Sequence, residues 1–179
     1  MRKLKRFLSF IASRMFFLTI ISALLIISFY LAMNTANIWA LIDDGLDARA
    51  SVVLMDAEPD GLNKFFRQEF IGKDPVLQVG LSDTSPYRDY EIRGFDHRVR
   101  MVSVWSWPWE NVARAEVIES IPAIDGTIRS SRREAALAAG GEARLSPPAW
   151  ATSRYRVTLT RTAGRWMISN LQLIEQIEE

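Results

Sequence analysis

Hydrophobic positions follow three successive patterns along this chain. Between residues 15 and 42 no charged side chain occurs, and residues 15–33 read MFFLTIISALLIISFYLAM. Such a run predicts a helix that is apolar all round. About 20 residues in a helix span about 30 Å, the hydrocarbon thickness of a bilayer, and a helix satisfies its own backbone amides inside lipid. The prediction is a transmembrane helix over 15–36. The pattern then turns amphipathic. Ile38, Leu41, Ile42, Val52, Val53 and Leu54 are interrupted by Asp43, Asp44, Asp47 and Arg49, which predicts a helix over 34–56 with Gly45 as a weak point. Residues 34–37 are the only linker available between span and domain. Leu62, Phe65, Phe66, Glu69 and Phe70 recur at intervals of three and four. They predict a second helix that starts at 58–60, carries Pro59 in its first turn and ends before Gly72, with a turn at Asp74-Pro75.

The third pattern has period two. Short strands are expected at 76–81 and 90–95, separated by a loop at 82–89, and a long one at 98–107. In the long strand Val99, Met101, Ser103, Trp105 and Trp107 would share one face, and Pro108 marks its end. A further strand is expected at 112–121, followed by a turn at 122–126. Residues 129–151, rich in Ala, Arg, Gly and Pro, read as an exposed, flexible insertion with one or two helical turns at 131–139. Alternating segments at 154–161 and 166–174 around Ala163-Gly164 predict a closing hairpin, and 175–179 a polar tail. Helices followed by antiparallel strands give an α+β domain over 37–179, its helices packed on one face of a curved sheet.

Charge sets the expected topology. Residues 1–14 hold Arg2, Lys3, Lys5, Arg6 and Arg14 and no acid, so the net +1 of the chain leaves −4 for everything after them. The positive-inside rule then places residues 1–14 in the cytoplasm as a basic tail and the domain outside, as a single-pass protein of the cell membrane. Tyr30 and Trp39 would lie near the outer interface, and Phe7, Leu8, Phe10 and Ile11 among basic residues suggest an amphipathic lead-in on the inner leaflet. A cleaved signal peptide is the competing reading. Its apolar core would be about 7–15 residues long with a small-x-small site after it, and this chain has a longer run with weak sites after Ala36 and Ala40. The absence of cysteine excludes disulfides, thiolate chemistry, Cys-type zinc sites and a lipoprotein anchor. A mildly acidic domain has no electrostatic footprint for nucleic acid.

The order Leu62, Phe65-Phe66, Phe70-Ile71, Asp74, then antiparallel strands, and the closing Arg154-Tyr155-Arg156-Val157-Thr158-Leu159 with Gly164-Arg165-Trp166-Met167-Ile168, resemble the nuclear transport factor 2-like superfamily. The resemblance covers about residues 37–175 and implies a cystatin-like α+β cone. Bacterial single-pass proteins of this shape include type IV secretion inner-membrane assembly proteins and some sporulation channel components, and no motif here selects either. The fold hosts enzymes, ligand pockets and scaffolds alike, so it does not decide function.

Chemistry is sparse. His97 is the only histidine and cannot form a His-based metal site; Asp96-His97 reads as a turn between strands. No nucleophile elbow and no phosphate loop occurs. Asp89, Glu91, Tyr87, Tyr90 and Tyr155 are the carboxylates and tyrosines that a cone could use, and no spacing joins them into an acid–base pair. The sequence therefore gives no expectation of catalysis, metal or cofactor. The Trp105, Trp107, Trp109 series stands out. Its rings would pack under the helices, line a cavity, contact a partner or approach the bilayer interface. The resulting expectation is a membrane-anchored, non-catalytic scaffold of a cell-envelope assembly. It would contact other membrane or envelope proteins, or a second copy of itself, through Trp109, Arg129, Arg132 and Arg133. Two alternatives stay open. One is a binding module that holds an apolar small molecule against Phe65, Phe66, Trp105 and Trp107. The other is an enzyme, which would need a buried carboxylate or His97 facing such a cavity.

Overall fold

A computed structural model describes residues 2–177 of the chain. The side chains of Arg2, Lys3, Lys5, Arg6, Phe7 and Leu8, and residues 178 and 179 of the expected polar tail, lie outside what is described. The fold is α+β. One helix, α1 (Arg2–Met55), runs without a break, so residues 34–37 form no linker. Its two parts differ in burial. From Phe10 to Phe29 the helix stands clear of the rest of the protein, with Phe16, Leu25, Ile26 and Phe29 all exposed. Among the described residues it is the one helix long and apolar enough to cross a membrane. Asn34 is the first buried residue among its described side chains. From there Ile38, Ile42, Leu46, Arg49, Ala50 and Val53 are buried at helical spacing, and this stripe is the centre of the core.

The single helix expected over 58–71 is two short pieces. A 3₁₀ turn (Pro59–Lys64) is followed by α2 (Gln68–Ile71). Between them Phe66 forms a parallel bridge to Ile168; the Arg67 N–H donates to the Ile168 carbonyl at 2.9 Å, and the Ile168 N–H to the Phe65 carbonyl at 2.8 Å. The sheet edge takes up backbone groups that a continuous helix would have used. Leu62, Phe66 and Phe70 are buried as the three-and-four spacing implies, whereas Glu69 is exposed. The strand expected at 76–81 is a helix, α3 (Pro75–Gly80). Asp74 caps it by accepting from the Val76 N–H at 3.0 Å, and Pro75 occupies the first turn, so start signals outweighed a short apolar run.

Six strands follow: β1 (Tyr90–Phe95), β2 (Arg98–Trp105), β3 (Val112–Ser120), β4 (Ile124–Ile128), β5 (Ser153–Thr162) and β6 (Arg165–Gln176). They form an open antiparallel sheet in the order β2-β3-β5-β6 and a two-stranded ribbon, β1-β4. The turn expected at 122–126 gives way from Ile124 to β4, whose short IDGTI sequence pairs with β1 across a bulge at Ile92/Gly94. Between β4 and β5 lies α4 (Arg133–Gly140), flanked by 3₁₀ turns. Ala113, Ala115, Val117, Tyr155, Val157, Leu159, Trp166 and Ile168 point from the main sheet into the core shared with α1. Gly45 marks a close approach of α1 to β6. A Cβ there would stand 3.1 Å from Ile168 Cδ1 and 3.2 Å from Phe65 Cβ.

Candidate functional site

The exit of α1 from its exposed stretch is clasped at one end of the main sheet by the β2–β3 loop and the paired ends of β5 and β6. Asn34 Oδ1 accepts from Trp166 Nε1 at 2.7 Å and from Arg161 Nη2 at 3.0 Å, while Asn34 Nδ2 donates to Ser106 Oγ at 2.5 Å. One turn earlier, Tyr30 donates to the Pro108 carbonyl at 3.3 Å and its hydroxyl accepts from Arg161 Nη1 at 3.1 Å. The Arg161 guanidinium also lies 4.4 Å over the Trp166 ring. Residues from α1, the β2–β3 loop, β5 and β6 thus converge on one amide. A buried polar side chain at the end of an apolar run needs such partners, because an unpaired amide would cost about 1–3 kcal/mol.

Beside the clasp stands the tryptophan series. Strict alternation would have kept Trp105 on the Val99–Met101 face, but a bulge between Met101 and Ser103 shifts the phase of β2. Val104 turns inward and Trp105 outward. The relative exposures of Trp105, Trp107 and Trp109 are 61%, 37% and 73%. Trp105 meets Trp107 edge-on at 5.3 Å, and Trp107 stacks on Trp109 at 5.1 Å. The rings lie on the surface rather than under the helices, and neither they nor Phe65 and Phe66 line the groove between Val53 and Arg129 or the one between Arg67 and Leu171. Phe66 is joined to β6 and stacked on Phe70, and β6 is the edge of the sheet opposite β2. Phe65 is half-buried beside Gly45.

A second constellation lies within the core. Arg49, on the buried stripe of α1, donates to Asp74 through Nε at 2.5 Å and Nη2 at 3.1 Å. Its Nη1 faces Glu119 Oε2 at 3.8 Å. Glu119 occupies an inward position of β3 and is fully buried; its other oxygen lies 3.3 Å from His97 Nε2, and His97 Nδ1 is 3.8 Å from the exposed Asp47. Burial would push the Arg49 pKa down, but the hydrogen bond and charge of Asp74, with Glu119 adding to them, hold it above the ordinary arginine value. Burial pushes the Tyr155 phenol up, and the neighbouring Arg49 draws it back. Partial burial likewise raises Asp43, against the pull of His97. Arg49 ties α1, α3 and β3 together from inside the protein; Asp74 takes two of its nitrogens, while Nη1 and Glu119 Oε2 face each other beyond hydrogen-bond distance. This is the arrangement of a structural ion pair rather than of a group presented to a substrate.

The basic cluster is elsewhere. Arg129, Arg132 and Arg133 are exposed; Arg129 Nε donates to the Tyr90 carbonyl at 3.4 Å, and Arg132 pairs with Asp89 at 3.2 Å. Arg129 also borders an open groove of about 450 Å³ with Val53, Leu54, Tyr87 and Ile92, at the far end of α1. Nineteen residues of helix separate Val53 from Asn34, about 30 Å. Trp109 and the arginines are therefore two surfaces at opposite ends of the domain. Among the described residues no group of three or more His, Asp or Glu side chains is placed to hold a metal ion. Sequence reasoning missed Asn34, Arg161 and the Arg49–Asp74–Glu119 set. Asn34 carried a signal, a lone amide at the end of an apolar run; the others depend on pairings distant in sequence. No protein-family model, curated protein or solved structure matches the chain.

Proposed function

We propose that this chain is a membrane-anchored, non-catalytic scaffold whose domain is held rigidly at the bilayer surface and binds other envelope proteins or a second copy of itself. One observation carries the reading. A single helix supplies first an exposed apolar stretch of bilayer length and then, from Asn34 onward, the central stripe of the domain core. On this reading the charge-free stretch from Met15 to Met33 spans the bilayer, and the clasp at Tyr30 and Asn34 sits at its outer end. About 20 residues match about 30 Å of hydrocarbon. The basic N-terminus and the −4 of the remaining chain support a cytoplasmic N-terminus and a domain outside. The helix crossing a sheet and the closing hairpin, with Gly164 at φ +80° and Trp166 buried after it, support a relative of the nuclear transport factor 2-like cone. Tethering raises effective concentration, so a modest surface such as the Arg129–Arg133 end suffices for a partner. Photo-cross-linking in intact membranes from Arg129, Arg132 and Arg133 tests this. A discrete adduct with an envelope protein or a second copy is expected, and monomer alone from all three positions overturns it.

A further inference from the structure

The three tryptophans at the end of β2 and in the β2–β3 loop call for an account, because contiguous exposed aromatic surface is uncommon and marks a contact. We infer that Trp105, Trp107 and Trp109 form an interfacial ledge that inserts into the glycerol and headgroup layer of the bilayer beside the emerging helix. The inference rests on the anchored reading above and adds a second, lateral contact of the domain with lipid.

The position of the rings fixes the partner. The loop that carries them is fastened to α1 at Tyr30 through Pro108 and at Asn34 through Ser106. From Met15 to Phe29 the helix is exposed and uncharged for about 22 Å, and the further rise to Asn34 brings it to about 30 Å, the thickness of the hydrocarbon core. A loop bonded to the helix at the end of that stretch lies level with the bilayer surface. Tryptophan favours that layer because its apolar body and polar N–H suit a boundary between lipid and water. Tyr30 is the same kind of residue at the same height. The bulge in β2 is what turns Trp105 toward this surface, and edge-on and stacked contacts hold the three rings as one patch. Exposed Arg165, the first residue after the β5–β6 turn and next to clasp residue Trp166, places a positive charge at this end, where lipid phosphates lie. At the opposite end, about 30 Å further along α1, the exposed side chains around Arg129 are charged or aliphatic, with no exposed tryptophan among them.

Depth-dependent quenching tests this on the full chain in vesicles of phosphatidylcholine and phosphatidylglycerol, with acyl chains brominated near the glycerol or near the methyl end. The ledge signal is the emission lost in the triple variant Trp105→Ser, Trp107→Ser, Trp109→Ser, which retains Trp39, Trp150 and Trp166. Leu25→Trp in that triple background reports the span. The expected result is ledge emission quenched about twofold more by shallow than by deep bromine, with the Leu25→Trp signal quenched most by deep bromine. A nitroxide at Glu110→Cys, in a chain with no native cysteine, reads the same depth with every ring in place. Quenching of Leu25→Trp with an unquenched ledge and a nitroxide in bulk water overturns the inference, leaves the anchor standing and gives the rings to a protein partner. Absence of quenching at Leu25→Trp overturns the anchored reading, and the ledge falls with it.

Discussion

At the scale of single residues, Arg49 decides most. It occupies the helical stripe that otherwise holds Ile42, Leu46, Ala50 and Val53, and its spacing alone marks it as buried. Its partners were not legible, because Asp74 and Glu119 lie 25 and 70 positions away and meet it only after α3 and β3 fold onto α1. The three removals differ in what they leave behind. Arg49→Met strands two buried carboxylates and is expected to cost about 3–5 kcal/mol. Asp74→Asn leaves Arg49 with the more distant Glu119 and weakens the cap of α3, for a somewhat smaller loss. Glu119→Gln keeps the two-bond Arg49–Asp74 pair and should be the mildest. Chemical unfolding of the detergent-solubilised chain measures the order. A Glu119→Gln loss as large as that of Arg49→Met would mean that the 3.8 Å contact, not the Asp74 pair, dominates.

At the scale of elements, period and punctuation located most strands but misjudged what tertiary contacts override. Strand β1 agrees with its expected limits of 90–95, and β3 and the closing hairpin agree within a few residues. The helix expected over 58–71 breaks because the β6 edge at Ile168 captures Phe65 and Arg67 backbone groups, a long-range effect with no local signature. Residues 75–80 were misread although Asp74-Pro75 carried a cap and an N1 proline; the apolar Val-Leu-x-Val run hid them. The bulge in β2 has no signal in the alternation itself, and it reverses the placement of Trp105. Gly45 shows the same coupling between distant elements. A glycine inside a helix costs about 1 kcal/mol against alanine, yet here it lets α1 approach Ile168 and Phe65. Gly45→Val is expected to destabilise by about 1–3 kcal/mol through overpacking, read as a lower unfolding midpoint. An unchanged or higher midpoint would show that β6 can retreat from α1.

At the scale of the whole molecule, the question is how firmly the domain is joined to the exposed helical stretch. Two links act in parallel. One is the helix itself, unbroken to Met55 and buried along one stripe from Asn34 onward. The other is the clasp, in which Asn34 joins Ser106, Arg161 and Trp166. Asn34→Leu leaves the Trp166 N–H and an Arg161 donor without their acceptor and should cost about 1–3 kcal/mol. It should not loosen the geometry, because residues 38–53 still hold the helix in the core. A three-residue Gly-Ser-Gly insertion after Met33 breaks the helical link as well and should free the domain to swing. Spin labels at Ser22 and Asn170, on the exposed helix and on β6, read the difference. The expected distance distribution is narrow in the parent chain, equally narrow in Asn34→Leu, and broad after the insertion. Broadening in Asn34→Leu alone would make the clasp, not the helix, the mechanical joint. Breadth in the parent chain would contradict a domain fixed at the bilayer surface, since a swinging domain could not hold Trp105, Trp107 and Trp109 at one depth.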